Sequence, residues 1–169
     1  MDVEPAIALA RGASVAAYVA FAGISVVLAV IDARSHRLPN RIVAVGYALA
    51  TVTLGLSAVA GGDGAEAIRA LAAGAALFGA LLLVRILDPR AIGGGDVKLA
   101  GLVGIHLGWL GWDAVLLGVA LAFAGAGVFA LLLVVARRRG GAARIAFGPW
   151  LLGGTWAAIL LAIAPAVTG

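Results

Sequence analysis

Cysteine is absent from the 169 residues, which excludes disulfides, thiolate metal sites and a cysteine nucleophile together. Charge is scarce as well. Only 12% of residues are Asp, Glu, Lys or Arg while 64% are hydrophobic, and the mean hydropathy is +1.15, so a water-soluble domain is excluded. No phosphate loop of the GxxxxGK type and no serine, histidine and acid constellation is evident. The two histidines, His36 and His106, have no set of neighbouring ligands, so neither a metal nor another cofactor is expected. The first apolar stretch follows Asp2 and Glu4, with no basic n-region or small-residue cleavage site, and is expected to stay in the mature chain.

What the chain does have is long apolar runs. A spanning helix needs about 20 predominantly apolar residues. Ala13 to Ile31, Ile42 to Ala60 and Ala70 to Val84 supply three, the third being short unless Ala65 to Arg69 extends it. From Leu99 the chain stays apolar through Ala136, apart from His106 and the segment Gly108-Trp109-Leu110-Gly111-Trp112-Asp113, which divides it into a short fourth span and a longer fifth. A sixth runs from about Phe147 to Val167, with Pro149 near its start, where proline is tolerated in a helix. The expected fold class is all-α: one polytopic membrane domain over residues 1–169 with about six transmembrane helices. Gly104 and Gly108, in GxxxG spacing, and Gly125 and Gly127 read as small positions for helix packing. His106, Trp109 and Trp112 read as a belt at the outer membrane edge.

Lys and Arg favour the cytoplasmic side of short loops. The loops after spans one, three and five carry Arg34, Arg37, Arg41, Arg85, Arg90, Lys98, Arg137, Arg138, Arg139 and Arg144, ten of the twelve basic residues. The other side has Arg11 and Arg69, with Asp2, Glu4, Asp63, Glu66 and Asp113. Both termini are therefore expected outside. The pI of about 10.7 follows from this topology and from contact with anionic lipid rather than from a nucleic-acid partner.

Two acids lie at the edges of apolar segments on the basic side: Asp32 in Ile31-Asp32-Ala33-Arg34, and Asp96 in Gly93-Gly94-Gly95-Asp96-Val97-Lys98. A charged residue costs about 2.5 to 3.5 kcal/mol at a helix centre on insertion scales and less toward the interface, so acids placed here usually have a function. Spans two and three lead out and back between them, which returns both acids to one side. Two carboxyls close together in low dielectric share a proton. Such a pair hydrolyses a peptide when one takes a proton from water and the other donates to the carbonyl oxygen, and either acid fits either role.

Plainer readings stand beside this one. Asp96 could cap a helix beginning near Val97, with the glycines as the turn before it, although they also permit close backbone approach to the carboxylate. Asp32 could be a loop acid beside Arg34 and Arg37. Pro39, in Leu38-Pro39-Asn40-Arg41, punctuates the turn into span two. Lys98, off the helix face of Asp96, either reaches headgroups or lends positive potential to the acids. Asp88 reads as a turn residue.

Ile31-Asp32, Leu38-Pro39-Asn40, Gly93-Gly94-Gly95-Asp96-Val97-Lys98-Leu99 and Phe147-Gly148-Pro149 together resemble the type IV prepilin peptidase family of GxGD membrane aspartyl proteases. The resemblance implies an endopeptidase of the cytoplasmic membrane whose partner is a prepilin-like substrate helix. It would remove the short basic leader at the cytoplasmic face, usually after a glycine and before the substrate's hydrophobic helix. It implies Asp32 and Asp96 as the catalytic pair and Gly93 and Gly95 as the family glycines. Lys98, Pro39, Phe147, Gly148 and Pro149 match recurrent positions with supporting roles. Only one span precedes Asp32 and no paired cysteines occur, so the resemblance is to short, peptidase-only members that lack a methyltransferase domain and serve tight-adherence type pili.

Two alternatives remain at this point. One is a presenilin-like or archaellin-type GxGD protease of other membrane substrates; the Pro39 and Phe-Gly-Pro motifs favour the prepilin branch. The other is a proton-coupled carrier using Asp32, Asp96 and Lys98, for which no acid is left midway through a span.

Overall fold

The computed structural model describes residues 3–35, 37–62, 64–136 and 146–168. These residues form six α-helices and no strand: α1 (Val3–Ser35), α2 (Asn40–Gly61), α3 (Ala65–Leu87), α4 (Gly94–Leu110), α5 (Trp112–Ala136) and α6 (Gly148–Thr168). Chain neighbours pair as antiparallel hairpins, α1 with α2, α3 with α4 and α5 with α6, while α4 stands in the middle and touches α2, α3, α5 and α6. Asp2, His36, Asp63, Arg137, Arg138, Arg139 and Arg144, all weighed above, lie outside the described residues.

Helices α1, α2, α3 and α5 are long and apolar enough to cross a membrane, and α6 adds a shorter apolar segment, Gly148–Ala164. Their outward faces expose Val19, Val59, Leu71 and Val134 among others, a surface suited to lipid and not to water. Helix α4 is about 25 Å long at 1.5 Å per residue, short against a hydrocarbon core of about 30 Å, and it is hidden inside the bundle. From Val97 to Trp109 every residue but Lys98 and Ile105 is buried, the placement expected of a helix that is apolar all round.

The helix ends follow from local chemistry. Extension through Ala65 to Arg69 is realised in α3. The break between α4 and α5 falls at Gly111, whose φ of 152° is a conformation that side chains disfavour. Pro149 is the second residue of α6, where its missing N–H costs no helical bond. A Cβ on Gly104 would lie 2.6 Å from the Ala73 carbonyl oxygen and one on Gly108 2.5 Å from the Ala73 Cβ, so this GxxxG pair lets α3 and α4 pack backbone to backbone. Gly125 packs on the Trp150 ring, whereas Gly127 has no neighbour within 4 Å. Arg69, on α3, donates from Nε to the Gly108 carbonyl at 2.7 Å and from Nη2 to the Trp109 carbonyl at 2.8 Å, satisfying carbonyls that the end of α4 leaves unpaired.

His106 and Trp109 depart from the expected outer belt. They are 1% and 7% exposed, because the last turns of α4 are covered: the Tyr18 hydroxyl donates to the His106 carbonyl, Phe21 stacks on the imidazole and Arg69 closes the helix end. Only Trp112, at 49% exposure, has the openness a belt residue needs.

Candidate active site

Helix α1 buries Ala13, Ala17, Phe21, Ser25, Leu28 and Asp32, a stripe at three- and four-residue spacing that is one inward helix face. Asp32 is its last member. It is 4% exposed, on the inward face of α1 rather than in a loop; Arg34 is still in the last turn of that helix, and Arg37 lies beyond its end.

Helix α4 starts earlier than a cap at Asp96 would require. Gly93 is the N-cap, extended at φ −67° and ψ 145°, and Gly94 is the first helical residue, which makes Asp96 the third. An acid at that position can reach back to the N-cap backbone, as in a capping box. A Gly93 backbone hydrogen bond to the Asp96 carboxyl is present, on the side of Oδ2. Oδ1 is buried and has no hydrogen-bond partner. One oxygen thus serves the helix end, while the other has no partner among the described protein groups.

The neighbour of that oxygen is the Asp32 carboxylate. Gly148, the first residue of α6, donates its N–H to Asp32 Oδ2 at 3.2 Å. A Cβ on Gly148 would lie 2.6 Å from Asp32 Oδ2 and 3.5 Å from Asp96 Oδ1; together these distances limit the oxygen separation to about 6 Å, within reach of one bridging water. Asp96 lies in the first turn of α4, ahead of its apolar stretch. Burial and then the charge of Asp32 raise its pKa to about 6, partly offset by the Gly93 bond.

A cavity of about 280 Å³ opens onto the pair, lined by Asp32, Arg37, Leu38, the glycines 93 to 95, and Asp96. Leu38 leans on Gly95, where a Cβ would come within 2.7 Å of the Leu38 Cβ. Pro39 is the N-cap of α2, and its carbonyl accepts from the Ile42 and Val43 N–H groups. Lys98 reaches neither acid: its Nζ donates to Asn40 Oδ1 at 2.9 Å, and the Tyr47 hydroxyl donates to the Lys98 carbonyl at 2.8 Å, so α2 is tied to the first turns of α4. Arg85 donates from Nη1 to the Ile92 carbonyl at 2.8 Å and lies over Gly94. Asp88 accepts from the Arg90 N–H, as a turn residue does. The Phe147 carbonyl accepts from the N–H groups of Trp150 and Leu151, which starts α6 and brings Gly148 to the acids.

Three contributors were not legible beforehand. Arg37 in the cavity wall and the clamp made by Arg85 are hidden within the topogenic charge pattern. The Gly148 N–H is a backbone group without a residue-type signature; the Phe-Gly-Pro motif marked its position and not its action. Among the described residues no group of three His, Cys, Asp or Glu side chains could hold a metal. A model of the type IV leader peptidase family matches residues 19–135, a stretch that contains Asp32, Asp96 and Lys98 and stops short of Phe147. No curated protein and no solved structure matches the chain.

Proposed function

Because the chain belongs to the type IV leader peptidase family, we propose that this membrane aspartyl protease removes the leader of a prepilin-like substrate at the cytoplasmic membrane face, with Asp32 and Asp96 as its catalytic pair. The observation that carries the reading is the convergence of Asp32 Oδ2 and the unpartnered Asp96 Oδ1 on Gly148. Arg34, Arg41, Arg85 and Arg90 lie in the helix ends and loops at the same end of the bundle as the acids, which supports the cytoplasmic placement. Family membership favours hydrolysis over the carrier reading.

The environments support one division of roles: Asp32 accepts the N–H at the start of α6, and burial together with the charge of Asp32 favours the neutral form of Asp96. Asp32 therefore takes a proton from the attacking water as its oxygen bonds to the scissile carbonyl carbon, and Asp96 donates to the carbonyl oxygen. In the second half Asp32 returns its proton to the departing amine, the C–N bond breaks, and Asp96 recovers a proton from the tetrahedral intermediate. The glycines 93 to 95 leave that wall of the cavity without side chains, so an extended peptide backbone can approach the acids.

The test is incubation of the purified protein with a prepilin-like substrate, leader loss being read by mass. Asp32→Asn and Asp96→Asn should each abolish cleavage, and the double variant should be little worse, since members of one catalytic unit are not additive. Either single variant cleaving at the parental rate would overturn the assignment.

A further inference from the structure

Three rings, one from each helix that brings a group to the acid pair, form one stack in the other half of the bundle. Phe21 of α1 lies between His106 of α4, at 4.0 Å between centroids with planes 17° apart, and Trp156 of α6, at 5.6 Å and 23°. Phe21 and His106 are each 1% exposed. The imidazole is anchored by a hydrogen bond between Nδ1 and the Leu102 carbonyl at 2.9 Å, and the Tyr18 hydroxyl of α1 donates to the His106 carbonyl at 2.8 Å.

The stack is level with respect to the site. Phe21 precedes Asp32, His106 follows Asp96 and Trp156 follows Gly148 by similar lengths of helix, roughly 12 to 17 Å at 1.5 Å per residue. Phe21 also shares the buried stripe of α1 with Asp32, so ring and carboxylate turn together. Helix α1 packs chiefly on α2 and less on α6, and no broad interface sets its rotation against α4. The interleaved rings supply that setting.

We propose that Phe21, clamped between His106 and Trp156, is a positioning residue that fixes the rotation and height of α1 against α4 and α6 and so sets the gap between Asp32 and Asp96. The inference rests on the two-aspartate reading. It has no catalytic group of its own: a displacement of about 1 Å at the acids is enough to cost on the order of 100-fold in rate.

The experiment compares Phe21→Leu, which keeps apolar bulk without a ring face, with His106→Phe, which keeps the stack and drops the imidazole. Phe21→Leu should lower kcat by about 10- to 100-fold with KM for the prepilin-like substrate unchanged. It should also move the alkaline limb of kcat/KM, which reports the free enzyme, to lower pH, because a wider gap weakens the push of Asp32 on Asp96. The other charges around Asp96 are Arg37 in the cavity wall, Arg85 over Gly94 and Lys98 on its own helix; none touches the stack, so the limb reports the acid gap. His106→Phe should keep the limb and most of kcat. Trp156→Leu, at the half-buried end of the stack, should reproduce both changes from the α6 side and serves if Phe21→Leu yields too little folded protein. Unchanged kcat per folded molecule and an unmoved limb in the leucine variants, whatever their thermal stability, would overturn the proposal while leaving the aspartates in place. Parental cleavage by Asp32→Asn or Asp96→Asn would instead remove the two-aspartate reading, and this inference with it.

Discussion

Gly148→Ala adds one methyl group at the point where the two acids converge. Its Cβ would stand 2.6 Å from Asp32 Oδ2, whereas ordinary van der Waals contact begins at 3.4 Å, so one side must give way by about 0.8 Å. Asp32 is 4% exposed, and the space open to its carboxylate is the cavity it shares with Asp96, so any retreat changes the geometry of the pair. The 3.2 Å hydrogen bond from the Gly148 N–H also resists separation. A misplacement of about 1 Å costs on the order of 100-fold in rate, or about 2.7 kcal/mol of barrier. The loss cannot come from a weaker α6, because alanine is a better helix former than glycine by about 1 kcal/mol. Gly153→Ala on the same helix is the control, since a Cβ there meets nothing within 4 Å. Single-turnover cleavage of a prepilin-like substrate, followed by mass, should show kcat down about 100-fold for Gly148→Ala and unchanged for Gly153→Ala. Cleavage by Gly148→Ala within about twofold of the parent would refute the geometry from which the pair is argued.

The raised pKa of Asp96 makes a stability prediction of definite sign. With the folded value at about 6 against 3.8 for an ordinary aspartate, the folded chain binds the proton more tightly, so the stabilisation is full below about 3.8 and is lost as pH rises through about 6. Asp96→Asn should therefore unfold at higher temperature than the parent near pH 8, with the difference disappearing near pH 4; a difference of opposite sign, or one that does not vary with pH, would contradict it. The absence of native cysteine makes orientation testable with single cysteines: one at Ser35 should be shielded from an impermeant thiol reagent in intact cells and one at Glu66 should label, and the reverse pattern would place the acids outside.

The helix order, a break within Gly108 to Asp113, the start of a sixth helix near Phe147 and the edge positions of Asp32 and Asp96 could all be read from the sequence. Each depends on local physics: the length of an apolar run, a glycine or proline at a turn, and an even number of helices between two acids. The tertiary structure decided which helix is enclosed, where His106 and Trp109 go, which partner Lys98 takes and that a backbone N–H of α6 meets Asp32. In water, burial leaves a periodic trace because outward residues are polar. In lipid, inward and outward residues are both apolar, so composition does not mark the enclosed helix: α4 is buried along almost its whole length although it carries Asp96, Lys98 and His106, while the more apolar α5 exposes Leu116, Val128 and Val134. Which helix faces meet is then set by the fit of glycines, rings and hydrogen bonds between helices distant in the chain, and that fit exists only once the bundle is assembled.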